Sequence, residues 1–396
     1  MNTLKSVKPL CYPLLICAFH FSATAQSNDT TYLNIDLTTA TNRVLHVRVT
    51  PPKLEKNIAL FIIPTIIPGT YMKVNYKRFY KNFKAYSADG KLLPVQRKKN
   101  HVIIEQANQL VRLEYDVTPS ANDQRVWDNI LTCAGTSFNP GKMYLLNFQL
   151  ITGYFEGHLN HPLVIYAKKM TQHYAHTSLT KKQSTTTDDT FFANDYHEFI
   201  DSPVLFAEPD TSSFLIDKSK FTVSVYSDNK KVSSSMLQPK IQKIMLALEK
   251  FMGPLPQEHY HFIFYYRDIG KAKDLFKTFG LGSALEHNQS SVYYYGESAA
   301  TDTTFKYLNW ICTHEYLHKI APLSLGSEKI KNFNFDKPTM SQHLWLYEGV
   351  TDYFASQVAE QYELPLWGGY WSSLKNGIST ANRLKSRSLT KSSRYI

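Results

Sequence analysis

The first half of the chain is a succession of short segments rich in β-branched and aromatic residues. Between Thr31 and about Leu163 they read VLHVRVT, IALFIIPTI, HVIIEQ, LVRLEYDV and MYLLNFQLI. Such segments are typical of strands, and turn signals such as Asp89-Gly90 are typical of the connections between strands. The pattern predicts a β-sandwich or an open barrel of roughly seven or more strands. The polar stretch Thr177–Asp189 is expected to be a surface loop.

Helical periodicity appears only after about Phe221. Apolar residues from Met236 to Met252 recur at the spacing of one helical face, and Gly253 with the following proline ends the helix. Two more helices are predicted over Thr304–Lys319 and Ser341–Tyr362, after the strand-like segments FTVSVYS, HFIFYY and SVYYYG. Strands followed by helices indicate an α+β domain.

These patterns predict a multidomain α+β protein. We expect an N-terminal β-sandwich-like domain over residues 27–205 and a second domain over 206–396. Residues 1–25 have the pattern of a signal peptide: two lysines, a short apolar run and an Ala-Thr-Ala cleavage site. The run is too short and too interrupted for a stable membrane span, so we expect export to the periplasm or beyond the cell.

The cysteines and the charge of the chain narrow the class of protein further. Cys11 and Cys17 lie in the signal, which leaves Cys133 and Cys312. Two cysteines make no disulfide framework, and Cys312 is expected to act as a small apolar side chain. The formal net charge is +11, but the lysines and arginines are scattered and no nucleic-acid-binding motif accompanies them. We interpret the charge as a solvated surface, with an acidic substrate or an anionic envelope surface as the alternative.

The segment ICTHEYLHKI, residues 311–320, carries the chemistry. His314 and His318 are four residues apart, so a helix projects both imidazoles from one face, where they can fill two positions of a tetrahedral zinc shell. Glu315 is adjacent and can take a proton from water that the metal has made more acidic. An H-E-x-x-H motif combines these roles: two histidine ligands and one general base. The alternative is a helix that carries two partly exposed histidines.

A third metal ligand must come from elsewhere in the chain. Glu348 lies in the second predicted helix, in an apolar stretch where an unpaired carboxylate is expensive. Asp352 is one turn later and would accept a hydrogen bond from the second ring nitrogen of a ligand histidine. His343 and Asp336 are weaker ligand candidates. An ordinary surface glutamate is the alternative for Glu348.

A second acidic residue lies upstream. Glu286 precedes the predicted strand Val292–Tyr295, which as an edge strand beside the motif helix could pair with an extended peptide. A carboxylate at this place could hold the α-ammonium group of a substrate, which would make the cleft that of an aminopeptidase. Taken alone, the stretch is equally consistent with a loop that contains a glutamate.

With these residues identified, the sequence resembles the glycyl aminopeptidase family of gluzincin zinc metallopeptidases, whose members often carry a PDZ domain. In the N-terminal half, the resemblance rests on Pro68–Val95 (PGTYMKVNYKRFYKNFKAYSADGKLLPV) and on EFIDSPV. In the C-terminal half, it rests on HEYLH, HLWLYEGVTDYF and SALEH. HLWLYEGVTDYF is similar to the family segment W-x-x-E-G-x-T-x-Y, and SALEH is similar to the family segment G-G-L-E-H.

The resemblance implies a thermolysin-like catalytic domain behind a β-domain. It implies His314, His318 and Glu348 as zinc ligands, Glu315 as general base and Glu286 as the anchor of the substrate amino terminus. It also implies a peptide as the partner, while oligomeric state stays open.

The sequence departs from the family pattern at two places. Ser283 and Ala284 replace the two glycines of the family segment, which puts substrate specificity in question. The chain ends at SLTKSSRYI, short of the family's usual length, so we expect it to be truncated. Related enzymes place an oxyanion-stabilising tyrosine downstream of the third ligand, and no match to it was found among Tyr353, Tyr362, Tyr370 and Tyr395.

Three hypotheses follow. The first is a zinc aminopeptidase of the cell envelope. The second is a non-catalytic scaffold or peptide-binding protein on the same fold, which a truncated end favours. The third is a zinc endopeptidase, which keeps the metal but assigns no role to Glu286.

Overall fold

The computed structural model describes residues 29–40, 44–71, 73–122, 130–256, 258–268, 282–297, 302–339, 341–366 and 368–383. The predicted signal peptide, residues 1–25, and Tyr395 lie outside these ranges. No helix in the described part of the chain combines the length and apolar character needed to cross a bilayer.

The N-terminal half is built from strands, as predicted. Alternation explains them: in LHVRVT, Leu45, Val47 and Val49 are buried while His46 and Arg48 face solvent. The strands are β1 (Thr31–Asp36), β2 (Leu45–Thr50), β3 (Ile58–Ile62), β4 (Tyr80–Ser87), β5 (Leu92–Leu93), β6 (Val95–Lys98), β7 (His101–Glu105), β8 (Leu110–Val117), β9 (Ser137–Asn139), β10 (Met143–Leu146), β11 (Tyr154–Phe155), β12 (Leu163–Lys168), β13 (Tyr174–His176), β14 (Thr180–Ser184), β15 (Asp188–Ala193) and β16 (Val204–Ala207). Short 3₁₀ turns lie between them at Tyr76–Phe79, Ala107–Gln109, Ser120–Asn122, Thr132–Ala134 and Phe148–Leu150.

Three sheets enclose the core of this half. The largest has eight strands in the order β14-β15-β12-β1-β2-β8-β4-β5, and two sheets of four strands have the orders β13-β16-β10-β9 and β11-β3-β7-β6. Neighbours are antiparallel except β1 and β12, which run parallel with Leu33 opposite Ile165. Phe61, Leu113 and Phe191 are among the fully buried side chains of this core. The prediction of a sheet-rich N-terminal domain is confirmed.

The polar stretch Thr177–Asp189 is not a loop. It forms most of the β-hairpin of β14 and β15, which is the edge of the eight-stranded sheet. Lys181, Lys182 and Ser184 are on the edge strand β14, and edge strands tolerate polar residues because one side of the strand faces solvent. The prediction was wrong because polarity was interpreted as a loop signal.

The second half contains one five-stranded sheet and most of the helices. The strands are β17 (Thr211–Ile216), β18 (Ser219–Ser227), β19 (His259–Arg267), β20 (Gly282–Glu286) and β21 (Ser290–Gly296), in the order β17-β18-β19-β21-β20. The described helices are α1 (Tyr196–Ile200), α2 (Ser234–Met252), α3 (Asp302–Leu317), α4 (Glu328–Lys331), α5 (Thr351–Gln361) and α6 (Tyr370–Arg383). Because β18 and β19 are parallel, α2 crosses between them over the sheet. The α+β prediction is confirmed.

The predicted helix Ser341–Tyr362 begins later and is not uniform. Residues Trp345–Val350 form a wide turn of π type, and only Thr351–Gln361 is a regular α-helix. A second π-type turn, Lys319–Ser324, follows the motif helix α3. Such widened turns are rare and are often found at functional sites.

The two halves share a core. The first cluster of buried residues takes in Ile263, Tyr265 and Tyr294 from β19 and β21. The opposite face of that sheet packs under α2 and α3 in a second cluster, where Cys312 is a buried free thiol, as expected. Cys133 is also buried and free. The domain division at residues 205 and 206 stays a prediction, and both residues lie in β16.

Candidate metal centre

The motif helix brings two imidazoles together. His314 is in the last turn of α3 and His318 follows its end, with the backbone N–H of His318 donating to the carbonyl of His314. Both side chains are almost fully buried, and their Nε2 atoms lie 3.0 Å apart. The i, i+4 spacing therefore gives the face that the sequence predicted.

The orientation of His318 is fixed by the turn after the helix. Its Nδ1 lies 2.9 Å from the carbonyl oxygen of Ala321. A carbonyl only accepts, so Nδ1 carries the hydrogen and Nε2 presents its lone pair to His314 and the cleft. This is the tautomer that a metal ligand requires.

Glu348 approaches the same point from the π-type turn. Its Oε2 lies 3.3 Å from His314 Nε2 and its Oε1 lies 3.7 Å from His318 Nε2. The ligand atoms of the three residues all lie within 4.8 Å of one another. In a tetrahedral zinc shell with bonds of about 2.0–2.2 Å, ligand atoms are about 3.3–3.5 Å apart. The donor set therefore fits the predicted zinc ion, and its assignment as ligands stays a prediction.

Asp352 lies beside His314 without a hydrogen bond to it. Its Oδ1 is 3.9 Å from His314 Nδ1, and it instead accepts a 2.6 Å hydrogen bond from the Trp310 indole. His314 Nδ1 is buried and has no hydrogen-bond partner among the described residues. To accept a hydrogen bond from His314, the Asp352 carboxylate would have to move slightly closer to the ring. The role predicted for Asp352 therefore stays a prediction.

The two weaker ligand candidates point elsewhere. Asp336 accepts hydrogen bonds from Asn100 and His101, and the His343 ring lies against Tyr347. Neither belongs to a group of potential ligand atoms in the described part of the chain.

Glu315 is buried among acids. Its carboxylate forms a second close group with Glu286 and His318. Burial raises the pKa of Glu315 well above its ordinary value, and the charges of Glu286 and Glu348 raise it further. Burial also raises the pKa of Glu286. Carboxylates that converge in this way oppose one another's ionisation, and a bound cation would relieve the repulsion.

Glu348 differs from the other two acids. Burial acts to raise its pKa, but the hydrogen bond with His314, the electrostatic interaction with His318 and the Tyr71 hydroxyl outweigh it, so the pKa is lowered. An ionised carboxylate between two imidazoles is the state in which Glu348 can bind a cation.

Glu286 lies at the end of a strand and not in a loop, which was the alternative for this stretch. It is the last residue of β20 (Gly282–Glu286), which is the edge strand of the sheet. Val292–Tyr295, expected to be the edge, is paired on both sides by β19 and β20. Glu286 lies in the site, and its role as an anchor stays a prediction.

Sequence reasoning missed a contribution from the N-terminal half. The Tyr71 hydroxyl donates a hydrogen bond to Glu348 Oε1 across 277 positions of the chain. Gly69, two residues earlier, is so close to β20 that an added Cβ would lie 2.7 Å from Glu286 Oε1. Both residues were within a stretch that carries the family resemblance, and the Pro68-Gly69 turn was the available signal.

An apolar cleft opens beside these residues. It lies between the segment of Ile66, Pro68 and Tyr71 on one side and Phe333 and Leu344 on the other. The two halves of the molecule therefore both line the site.

Two solved structures are similar to this chain. An aminopeptidase N family protein from Idiomarina loihiensis matches with a TM-score of 0.67 and 19% identity, over 84% of this chain and 55% of that one. An M1 zinc metallopeptidase from Deinococcus radiodurans matches with a TM-score of 0.49 and 11% identity, over 91% of this chain and 76% of that one. The chain thus spans just over half the length of the Idiomarina protein, whose likeness shows the fold. A comparison with curated proteins found no match.

Two family models match the sequence. Residues 32–208 match the Peptidase M61 N-terminal domain, and residues 308–394 match the M61 glycyl aminopeptidase. Together they cover about two thirds of the chain, and the second contains both histidines of the motif and Glu348. The chain belongs to the M61 glycyl aminopeptidase family.

Proposed function

We propose that this protein is a zinc-dependent aminopeptidase. The observation that carries the proposal is the convergence of His314, His318 and Glu348, with Glu315 beside them. The family supports peptide hydrolysis, and two imidazoles with one carboxylate are a donor set that suits zinc. Zinc would supply a Lewis acid that makes water more acidic and polarises the scissile carbonyl.

The residues of the chain would divide the remaining work. Glu315 would take a proton from the attacking water and return it to the leaving amine. Burial raises the pKa of Glu315, and a carboxylate with a raised pKa is a stronger base. Glu286 would hold the substrate α-ammonium group, which its place beside Glu315 and His318 supports.

Glu315→Gln tests the proposal most directly. We expect the variant to bind one zinc per chain, as the parent does, and to hydrolyse an aminoacyl substrate about 10²–10⁴-fold more slowly. N-terminal glycine is the first residue to assay, because the family is described by it. Glu360→Gln, on the exposed face of α5, is the matched control and should keep the parental rate. Parental turnover by Glu315→Gln would refute the mechanism.

Blocked peptides separate the aminopeptidase from its rivals. A free amino terminus is needed if Glu286 binds it, so an N-acetylated peptide should resist hydrolysis. Equal cleavage of both peptides would identify an endopeptidase. Zinc binding without turnover of either peptide would favour a peptide-binding protein.

We further propose that the protein is exported. The support is the signal-like pattern of residues 1–25. Peptides in the periplasm or outside the cell would then be its substrates, and detection of the mature chain outside the cytoplasm would test this.

A further inference from the structure

Tyr71 has a backbone conformation that is unusual for an aromatic residue. Its φ is +53°, in the left-handed region that L-residues with bulky side chains rarely adopt. Residues in such conformations persist only where their surroundings hold them, and they cluster at active sites. We therefore expect contacts of the Tyr71 side chain to hold this conformation.

The Tyr71 side chain contacts Glu348. The Tyr71 hydroxyl donates to Oε1, while Oε2 is the oxygen 3.3 Å from His314 Nε2. Glu348 lies in a π-type turn and its side chain is 34% exposed. The hydroxyl thus restricts the rotation of a partly exposed carboxylate whose other oxygen faces His314.

The segment that carries Tyr71 is itself clamped. Gly69 has a φ of +80°, and an added Cβ would lie 2.6 Å from Leu285 Cδ1 and 2.8 Å from Glu286 Oε2. The Thr70 hydroxyl donates to the Ile67 carbonyl, which closes the turn. The N–H of Thr65, just before the turn, donates to the Phe335 carbonyl in the C-terminal half. Tyr71 is therefore presented on a rigid support.

We propose that Tyr71 is a positioning residue that holds Glu348 in the orientation needed to bind the metal. The inference rests on the proposed function, because it takes Glu348 as a metal ligand. It also means that the metal centre is composite: the N-terminal half supplies a side chain that the centre needs.

The test compares Tyr71→Phe with Tyr80→Phe in the whole chain. Both changes remove a hydroxyl that donates one hydrogen bond, from a partly buried Tyr71 and a fully buried Tyr80, but the Tyr80 hydroxyl donates to the Gln149 carbonyl, remote from the metal centre. Zinc affinity is measured by competition with a chelator, and cobalt(II) bound in place of zinc reports ligand geometry through its visible spectrum. Thermal unfolding of the metal-free chains shows whether each variant is folded.

We expect Tyr71→Phe to weaken zinc binding about 10–100-fold and to change the cobalt spectrum, because loss of a partner of a metal ligand has effects of this size. Tyr80→Phe should keep the parental zinc affinity and spectrum. Both metal-free variants should unfold cooperatively near the same temperature.

Three outcomes would overturn the inference. If Tyr71→Phe binds zinc as tightly as the parent does, Tyr71 does not position Glu348, and the proposed function survives. If turnover falls while zinc affinity and the cobalt spectrum stay parental, Tyr71 acts on the substrate instead. If the parent itself binds no zinc, the inference and the proposed function both fail.

Discussion

His176 in the N-terminal sheets and His318 at the metal centre are both almost fully buried, yet their surroundings differ. Neither ring nitrogen of His176 has a hydrogen-bond partner among the described residues, and burial, followed by the charge of Lys181, lowers its pKa to about 3. His318 has one nitrogen bonded to the Ala321 carbonyl and the other aimed at His314. The first histidine fills space as a neutral ring, whereas the second is oriented for binding.

Buried acids show the same contrast. Asp189, in the eight-stranded sheet, is paired with the Lys169 ammonium group at 2.7 Å and with the Ser184 hydroxyl. Glu315 lies instead beside Glu286 and Glu348, and burial, followed by the charges of these two acids, raises its pKa. The N-terminal half neutralises what it buries, while the metal centre concentrates like charges. This difference teaches that the second arrangement costs stability, a cost that a bound cation would offset.

The largest expected effect is the loss of folding stability that burial of His176 causes at acidic pH. The folded pKa of about 3 lies below the ordinary 6.5, so between these values the unfolded chain binds a proton that the folded chain does not. Stability is therefore lost as the pH falls through this window. From pH 7 to pH 4, we expect the unfolding free energy of the parent to fall by about 2–3 kcal/mol more than that of His176→Leu. Denaturant unfolding at both pH values measures it, and parallel losses would contradict it.

Two glycines with the same φ of +80° sharpen the comparison. An added Cβ at Gly90, in a turn of the N-terminal half, would meet no atom within 4 Å, whereas at Gly69 it would meet Leu285 and Glu286. We expect Gly90→Ala to cost about 1 kcal/mol from backbone strain alone. Gly69→Ala should cost about 2 kcal/mol, because steric overlap is added to the strain. Chemical denaturation measures the loss of unfolding free energy in each variant. Equal losses would show that the side chains around Gly69 move aside without cost.

The smallest expected effect is a gain in the folding stability of the metal-free protein when Glu315 is replaced by glutamine, a change that also removes the proposed general base. Because the pKa of Glu315 is raised above 4.5, metal-free protein loses stability as the pH rises from 4.5 toward the folded pKa. Glu315→Gln removes that ionisable group. We expect metal-free Glu315→Gln to be about 1–2 kcal/mol more stable than the parent at pH 8, with a smaller difference at pH 5. Thermal unfolding without metal at both pH values tests this, and a less stable variant at pH 8 would contradict it.

Local patterns predicted much of the fold. The alternation of LHVRVT predicted a strand, and the one-sided apolar spacing of Ile241, Met245 and Leu248 predicted helix α2, since both patterns repeat with the geometry of the element. The polar strand β14 was missed because an edge strand buries too little to show alternation. The π-type turn at Glu348 was missed because it has no distinctive periodicity.

The sequence by itself determined the pairing of His314 with His318, because four residues on a helix fix two side chains on one face whatever surrounds them. It also located Glu348 and Glu286 as candidates through the motifs in which they lie. Only the tertiary structure decided that Tyr71 meets Glu348, because chain folding, not local spacing, brings together residues that are 277 positions apart. The same holds for the charge balance of the site, since the pKa of a carboxyl group depends on which acids the fold places beside it.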